Sequence, residues 1–361
     1  MIHIFIGTKA QLIKMAPVMK EFSQKSVDYN YISTGQHKET IKDILDNFNI
    51  KGPDICLYSG KDINSVFSMV LWSVGILLKI MFNKKKIFRN DKGGIVLVHG
   101  DTLSTVLGAL AGKLSGLKVG HVESGLRSFN LFQPFPEEIF RLLSFRLSDI
   151  MFCPGKAATK NLEKHKGKKI NTEMNTLYDS LRYCMPGLKK ITDVDIPENK
   201  YAVATLHRYE NIKNETTLNK ITDLLIKISK KIKIIFILHK ITEKKMLEFS
   251  LLDKLRRNNN IELRPRYDYF RFIKLIENSE FVISDGGSNQ EECSYLGKPV
   301  IIFRNVTERN EGIDINAVVS KLDPSIVQNF VDNYSKYRHL PFSSTNRPSE
   351  IIANYCIDNY N

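Results

Sequence analysis

The sequence is poor in the features that mark several common protein classes. Its five cysteines are scattered and include no CxxC pair, a pattern typical of reduced, buried thiols rather than of a disulfide framework. It contains no GxSxG nucleophile elbow and no Walker loop. His99 with Asp101 and His121 with Glu123 offer potential ligand atoms, but no HxxxH or CxxC spacing accompanies them. We therefore expect no metal site.

The chain also lacks an apolar run that could cross a membrane. The uncharged stretch 63–78 contains serines and a glycine and is shorter than a membrane span. A buried helix over 63–82 is expected. The alternative is a basic, apolar patch on a membrane surface, because Lys84-Lys85-Lys86 follows the stretch. The apolar start, residues 1–6, is too short for a secretion signal, so a cytoplasmic protein is expected.

Acidic residues are fewer than basic residues in this chain. Lysine and arginine together number 53 against 39 acidic residues, which gives a formal net charge of +14. Such a charge suits nucleic acid, a membrane surface or a small anionic substrate. No basic run with interleaved aromatic residues is present, and lysine is abundant throughout, so we expect no nucleic-acid partner.

Short apolar segments alternate with helical segments along almost the whole chain. The predicted strands of the first half are residues 2–6, 29–33, 95–98, a strand from 119, and 150–152; those of the second half are 201–205, 234–238, 261–263, 281–283 and 300–303. This alternation predicts parallel, doubly wound sheets. The expected fold is α/β, with two Rossmann-like domains facing a cleft.

The 361 residues suit two domains of ordinary size. We place the first domain at residues 1–175 and the second at 176–340, with the linker in the polar, lysine-rich segment 155–200. The tail, 341–361, is expected to form a helix that packs back on the first domain.

One stretch predicts a phosphate site. The strand 281–283 runs into Asp285-Gly286-Gly287-Ser288, and a helix is expected from about Asn289 to the Gly297 stop. Glycines and a helix N-terminus present free N–H groups and a positive dipole end, which suit a diphosphate. Ser288 is expected either to cap the helix or to donate to a phosphate oxygen. The alternative is an ordinary strand–turn–helix.

Charged side chains follow several other strands. Arg304 follows strand 300–303, Lys9 and Lys14 follow the first strand, and Glu291 and Glu292 are expected to reach past a diphosphate to sugar hydroxyls. Candidate acid–base groups also stand at strand ends or at the start of a helix: Asp101, Glu123, Glu137 with Glu138, and His207 beside Arg208. Each of these residues also has a purely structural alternative. Asp101 could cap a helix, Glu137 could be a first-turn residue that interacts with the helix dipole, and His207-Arg208 could be a structural pair.

Taken together, these segments resemble the non-hydrolysing UDP-N-acetylglucosamine 2-epimerases. The likeness extends from Gly7-Thr8 to the tail. The carrying segments are IKMAP (13–17), TGQH (34–37), VHGDT (98–102), HVESGLRS (121–128), PFPEE (134–138), NT (175–176) with Asp179, LHRYEN (206–211), QEE (290–292), LGKPV (296–300) and TER (307–309).

The resemblance implies a two-domain fold of the GT-B glycosyltransferase type, a homodimer, and no metal or nicotinamide cofactor. It implies interconversion of UDP-GlcNAc and UDP-ManNAc by elimination of UDP to 2-acetamidoglucal and re-addition. The implied catalytic residues are Asp101, Glu123, Glu137 and His207. The implied substrate-binding residues are Lys9, Lys14, Arg141, Arg208, Gly286, Gly287, Ser288, Glu292, Arg304 and Glu308. Gln36 and His37 match neighbours of a regulatory second UDP-GlcNAc site.

The sequence also departs from that family's usual pattern. Lys9-Ala10-Gln11 replaces Arg-Pro-Glu, and Asp285-Gly286-Gly287-Ser288 replaces Asp-Ser-Gly-Gly. Phe140, Tyr209 and Asn310 stand where asparagine, arginine and proline are common. The Tyr209 change weakens the case for the regulatory site. These departures indicate a divergent branch.

Three alternatives to the non-hydrolysing epimerase follow. A hydrolysing relative releases UDP and free ManNAc. A GT-B glycosyltransferase needs an acceptor site but no carboxylate cluster at the strand ends of its first domain. A nucleic-acid or membrane-binding protein leaves the strand-end charges unexplained. The epimerase function implies a role in supplying precursors for bacterial surface polysaccharide.

Overall fold

The computed structural model describes residues 1–35, 41–60, 66–131, 135–307 and 309–360. The chain forms two compact units, Met1–Tyr183 with Thr345–Asn361 and Cys184–Ser344. In the described ranges each unit contains one parallel sheet with helices between its strands. The predicted α/β class with two Rossmann-like units is confirmed.

The first unit, as far as it is described, has a seven-stranded sheet in the order β3-β2-β1-β4-β5-β6-β7. Its strands are β1 (Ile2–Ile6), β2 (Tyr29–Ser33), β3 (Ile55–Cys56), β4 (Ile95–His99), β5 (Lys118–Val122), β6 (Ile150–Cys153) and β7 (Lys168–Asn171). Its helices up to the unit boundary are α1 (Lys9–Gln24), α2 (Ile41–Phe48), α3 (Val66–Ile87), α4 (Leu103–Leu114), α5 (Glu137–Leu147), α6 (Lys156–Asn161) and α7 (Leu177–Cys184).

The second unit has six strands among its described residues, in the order β10-β9-β8-β11-β12-β13. They are β8 (Tyr201–Leu206), β9 (Lys233–Leu238), β10 (Ile261–Pro265), β11 (Val282–Ser284), β12 (Val300–Ile302) and β13 (Ala317–Val319). Its helices are α8 (Tyr209–Ile212), α9 (Glu215–Ser229), α10 (Lys240–Glu248), α11 (Leu252–Arg256), α12 (Tyr269–Asn278), α13 (Gly287–Leu296) and α14 (Pro324–Asn333), with 3-10 turns at Met185–Lys190 and Tyr334–Tyr337. The tail then forms α15 (Pro348–Tyr360).

Strand order reverses once in each sheet, between β1 and β4 and between β8 and β11. Both pairs are parallel and in direct contact, with Ile2 opposite Ile95 and Val282 opposite Val203. In open parallel sheets the crevice outside the carboxyl ends of strands at such a reversal collects ligands. The fold therefore indicates two positions to search: the loops after β1 and β4, and the loops after β8 and β11.

The predicted linker 155–200 is largely wrong. Residues 156–171 form α6 and the edge strand β7, and α7 extends from Leu177 to Cys184. β7 is polar and half-exposed, as edge strands tend to be, so its sequence does not read as an apolar strand. Ser180 Oγ donates to Ile13 O at 2.8 Å, which fixes α7 to α1. The sequence places the domain boundaries at 175/176 and 340/341, whereas the units divide at 183/184 and 344/345.

The expectation of a buried helix over 63–82 also needs correction. α3 buries Trp72, Ile76 and Ile80 in the core of the first unit. Its other face exposes an apolar stripe, here called the α3 stripe: Val70, Leu71, Val74, Leu78, Met81 and Phe82. Phe82 is 82% exposed. Among the helices that the structure describes, none has the length and apolar character of a membrane span.

Candidate active site

The loops after β1 and β4 are locked together by one side chain. Gln11, in the first turn of α1, accepts hydrogen bonds from Gly7 N at 2.9 Å and Thr8 N at 3.1 Å. Its amide nitrogen donates to His99 O at 2.6 Å and to the hydroxyls of Thr102 and Thr105 at 3.0 Å each. An ionised glutamate at this position would have no N–H group to donate. The link to the backbone of β4 therefore needs the amide nitrogen of glutamine.

The loop after β4 shows that Asp101 is not a helix cap. Thr102 is the N-cap of α4, and its side chain and that of Thr105 form a reciprocal capping box. The Asp101 carboxylate instead accepts from Arg141 Nη2 at 2.5 Å and remains 25% exposed. Asp101 is therefore a partly exposed, paired carboxylate at the sheet reversal.

Glu123 follows β5 and is held from several sides. Its Oε2 accepts from Lys14 Nζ and from Asn175 Nδ2, and His99 Nε2 lies 4.0 Å away. Its backbone is left-handed, with φ of 63°. A non-glycine residue in that region costs of order 1–3 kcal/mol and is often a sign of a functional constraint. The carboxylate is buried and charge-compensated, which suits a positioned acid or base.

Two buried histidines lie beside these carboxylates. Burial lowers the pKa of His99 and of His121 to about 4, despite the nearby charge of Glu123. His121 Nε2 lies 2.7 Å from Gly100 O, so Nε2 carries the proton and Nδ1 accepts from Ser124 Oγ at 3.2 Å. Both rings are therefore neutral near pH 7, and His121 braces the Gly100 turn.

The two acidic residues that begin α5 have different surroundings. Glu137 is half-buried in the first turn. Glu138 is fully buried and accepts from Arg127 Nε, from Ser128 N at 3.1 Å and from Arg141 Nη1 at 3.1 Å. Arg141 thus connects Glu138 to Asp101. Glu138 thus fixes the orientation of an arginine for which the resemblance implies substrate binding.

The glycine turn of the second unit contacts His207 closely. Gly286 is the N-cap of α13, and Ser288 is not, which corrects the expected cap. A Cβ at Gly286 would lie 3.0 Å from His207 Cε1 and 2.9 Å from Asn289 Oδ1. Gly286 is therefore required by close approach, and the turn and His207 form one site at the β8–β11 reversal.

Asp285 connects that turn to the loop after β8. It is fully buried, and it accepts from His207 N at 3.0 Å, Arg208 N at 3.0 Å and Asn211 Nδ2 at 3.0 Å. Burial raises the pKa of Asp285, while these three donors act in the opposite direction. The His207 ring stacks on His239, with centroids 4.7 Å apart.

The remaining predicted residues of the second unit lie near the same strand ends. Arg304 is buried, and its Nε lies 3.2 Å from Glu210 Oε1. Glu292 accepts from Asn289 Nδ2 at 2.9 Å. Glu291, which was expected to reach a sugar hydroxyl, pairs with Arg309 Nη1 at 3.1 Å and accepts from Tyr295 OH. Gln36, His37 and Glu308 lie outside the described residues.

Sequence reasoning did not identify Asn175 and His239 as parts of these sites, and it did not give the partners of Glu138 and Asp285. Each belongs to or adjoins a segment that was noticed, but its partner is distant in the chain. Within the described part of the chain, no cluster of three or more His, Cys, Asp or Glu side chains is placed to hold a metal ion.

Glu138 provides a stability test. Burial alone would raise its pKa, but the hydrogen bonds from Arg127, Ser128 N and Arg141 outweigh burial and hold the pKa below its usual range. Its stabilisation is therefore present above the unfolded-state pKa and is lost as pH falls through the lower folded-state value. We expect Glu138→Gln to destabilise the protein at pH 7 by about 3 kcal/mol, the scale of a broken buried pair.

Urea unfolding at pH 7 and at about pH 3 measures this difference. The difference should shrink at the lower pH, where the unfolded-state carboxylate is protonated and the folded-state carboxylate begins to gain a proton. Glu137→Gln is the neighbouring control and should change stability by less than about 1 kcal/mol, as for a partly exposed group. Equal destabilisation by both substitutions would contradict the assigned role of Glu138.

Comparison with known proteins identifies the family. The family model described as UDP-N-acetylglucosamine 2-epimerase matches residues 20–346. The UDP-N-acetylglucosamine 2-epimerase of Methanococcus maripaludis is 35% identical, over 98% of this chain and 97% of that protein. The corresponding enzyme of Neisseria meningitidis serogroup A is 31% identical, over 93% of this chain and 90% of the relative.

Solved structures of UDP-GlcNAc 2-epimerases have the same fold as this chain. The crystal structure of Methanocaldococcus jannaschii UDP-GlcNAc 2-epimerase in complex with UDP-GlcNAc and UDP has a TM-score of 0.83 at 28% identity and covers 99% of both chains. The Neisseria meningitidis epimerase bound to UDP-GlcNAc has a TM-score of 0.84 at 29% identity, with the same coverage. This chain belongs to the UDP-N-acetylglucosamine 2-epimerase family.

Proposed function

We propose that the protein is a non-hydrolysing epimerase that interconverts UDP-GlcNAc and UDP-ManNAc, or a close derivative. A base removes the C2 proton while the bond from C1 to the UDP oxygen breaks, giving 2-acetamidoglucal and UDP. Re-addition of UDP at C1 with protonation on the other face of C2 completes the reaction. The observation that carries the proposal is the placement of acid–base and cationic side chains at the strand ends at or beside both sheet reversals.

The first unit supplies the acid–base groups in this proposal. Inversion at C2 needs groups on both faces of the sugar, and Asp101, Glu123 and Glu137 are the candidates. The Glu123 carboxylate is held by Lys14 and Asn175, and Asp101 by Arg141. Such bonds fix each oxygen in place, which lowers the reorganisation needed for proton transfer.

The second unit supplies the diphosphate site. Free N–H groups at the start of α13, the Gly286-Gly287 turn, Ser288, Arg208 and Arg304 offer donors and positive charge there. Stabilising the departing diphosphate compensates for the weak acidity of the C2 proton. His207 is proposed to take part in proton transfer, and Glu292 to bind a sugar hydroxyl. Lys9 is proposed as a phosphate contact.

Residues outside the described ranges keep their sequence-based assignments. Glu308 is proposed to bind substrate, and Gln36 and His37 to contribute to a regulatory nucleotide-sugar site. No metal or nicotinamide cofactor is needed for the proposed steps. We further propose that the enzyme acts in the cytoplasm on precursors for bacterial surface polysaccharide, with no nucleic-acid partner.

The second candidate is a hydrolysing epimerase that releases UDP and ManNAc. Lys9 and the altered glycine turn favour looser phosphate retention, which would let UDP escape before re-addition. A glycosyltransferase is disfavoured, because it has no use for the buried, charge-compensated carboxylates near the β1–β4 reversal.

We expect Asp101→Asn, Glu123→Gln, Glu137→Gln and His207→Asn each to lower turnover at least about 100-fold, the scale of lost acid–base catalysis. Chromatographic separation of the two nucleotide-sugars measures the turnover. Glu163→Gln, an exposed carboxylate of the same unit, is the control and should leave turnover unchanged. Near-native turnover in all four variants would overturn the acid–base assignment.

Arg304→Ala should weaken UDP binding by about 1.5–3 kcal/mol, the worth of a hydrogen bond to a charged group. Isothermal titration with UDP measures the affinity. Arg338→Ala is a matched control, because Arg338 pairs with Glu280 at the amino ends of the strands and away from the proposed site. Unchanged affinity for the Arg304 variant would place the phosphates elsewhere.

We propose that the protein is a homodimer and that a second copy covers the α3 stripe. Exposed apolar side chains in one contiguous stripe are typical of interaction surfaces. Sedimentation velocity should show a dimer that the double substitution Leu71→Asp/Val74→Asp converts to a monomer, whereas Ile241→Asp, on an exposed residue of the second unit, should not. A monomeric wild type that binds anionic vesicles through Lys84, Lys85 and Lys86 would instead assign the stripe to a membrane surface.

A further inference from the structure

We propose that Asp285 is a positioning residue that holds His207 in one tautomer, with the proton on Nδ1 and with Nε2 left to exchange a proton with the substrate. This inference rests on the proposed function for its catalytic consequence. The contacts between Asp285 and His207 lie within the loops after β8 and β11, and they do not depend on the proposed function.

The two oxygens of Asp285 have unequal surroundings. Oδ2 lies within 3.2 Å of three donors, the backbone nitrogens of His207 and Arg208 and the side-chain amide of Asn211. Oδ1 accepts from His207 N at 3.0 Å and lies 3.5 Å from His207 Nδ1. Oδ2 is thus saturated, and Oδ1 retains capacity for the imidazole.

The imidazole is enclosed on the side that faces Asp285. His207 Nδ1 is shielded from solvent and has no hydrogen-bond partner among the described residues, although 37% of the side chain is exposed. The exposure therefore belongs to other atoms of the side chain. At 3.5 Å the Nδ1–Oδ1 contact is longer than a strong hydrogen bond, but a carboxylate there favours a proton on the facing nitrogen.

Neighbouring groups restrict rotation of the ring. His239 stacks on one side, and its Nε2 lies 3.1 Å from Thr205 Oγ1. Gly286 leaves no spare space at Cε1. The charged or titratable groups that face the ring are Asp285, Arg208, Arg266 and His239. Burial and the two guanidinium groups lower the pKa of His207, so the ring is mainly neutral near pH 7 and its tautomer decides which nitrogen donates.

Asp285→Asn tests the inference, because it keeps the shape and removes the charge. The amide oxygen should occupy the Oδ2 position, where three donors converge, which leaves the NH₂ group facing His207 Nδ1. An N–H donor there requires Nδ1 to accept, so the proton moves to Nε2. A carboxylate-to-amide change beside a catalytic histidine lowers kcat by about 10⁴-fold in the best-studied case, through the same tautomer error.

The primary readout is ¹⁵N NMR of histidine-labelled protein at pH 7.5, with the His207 signal identified by its loss in His207→Asn. We expect the Nδ1–H form in the wild type and the Nε2–H form in Asp285→Asn. Asn211→Ala removes one donor from the same carboxylate without touching the ring and should keep the Nδ1–H form. An Nε2–H wild type, or the same tautomer in wild type and Asp285→Asn, would overturn the proposal.

Kinetics provide the second readout. Asp285→Asn should lower turnover at least about 100-fold, and adding it to His207→Asn should lower turnover by less than about threefold more, since one residue acts through the other. Losses that multiply would contradict the assignment. If Asp285→Asn fails to fold, the wild-type spectrum alone decides. An inactive wild type with the predicted tautomer would reject the proposed function and retain the role of Asp285.

Discussion

A carboxylate that leaves water needs opposite charge or N–H donors close by, because burial of an uncompensated charge is very costly. Near the strand ends of both units, the cations and N–H donors that compensate the buried carboxylates also fix the positions of those carboxylates. Lys14 and Asn175 hold Glu123, Arg127 and Arg141 hold Glu138, and backbone N–H groups hold Asp285. The compensation of buried charge thus sets the positions from which the proposed chemistry starts.

This arrangement gives several cations two roles. Lys14 and Arg141 are assigned to substrate by the family pattern, and in the structure each contacts a candidate acid–base residue, Glu123 and Asp101 respectively. Removing either cation would take a charge-compensating partner from its carboxylate as well as any contact with a nucleotide. The effects of such substitutions are therefore not additive, and neutralising the paired carboxylate is the informative companion experiment.

Much of the fold could be predicted from alternating apolar segments, because buried parallel strands are short runs of β-branched residues. β1 and β2 begin and end where the sequence indicates. β3, with two residues, is too short to show a pattern, and β7 is a polar edge strand. Strand-end residues such as Asp101 and His207 could also be predicted, because each closely follows an apolar segment that is recognisable as a strand. Asn175 could not, because its contact with Glu123 joins residues 52 positions apart and no local spacing encodes it.

In the proposed reaction UDP leaves C1, stays bound and returns. Incubation with UDP-GlcNAc in D2O, followed by proton and phosphorus NMR, tests it most directly because epimerisation, hydrolysis and exchange at C2 are observed together. We expect UDP-GlcNAc and UDP-ManNAc at equilibrium, both with deuterium at C2, and only slow leakage of free UDP. Stoichiometric free UDP with free N-acetylmannosamine, or unchanged UDP-GlcNAc without exchange at C2, would contradict it.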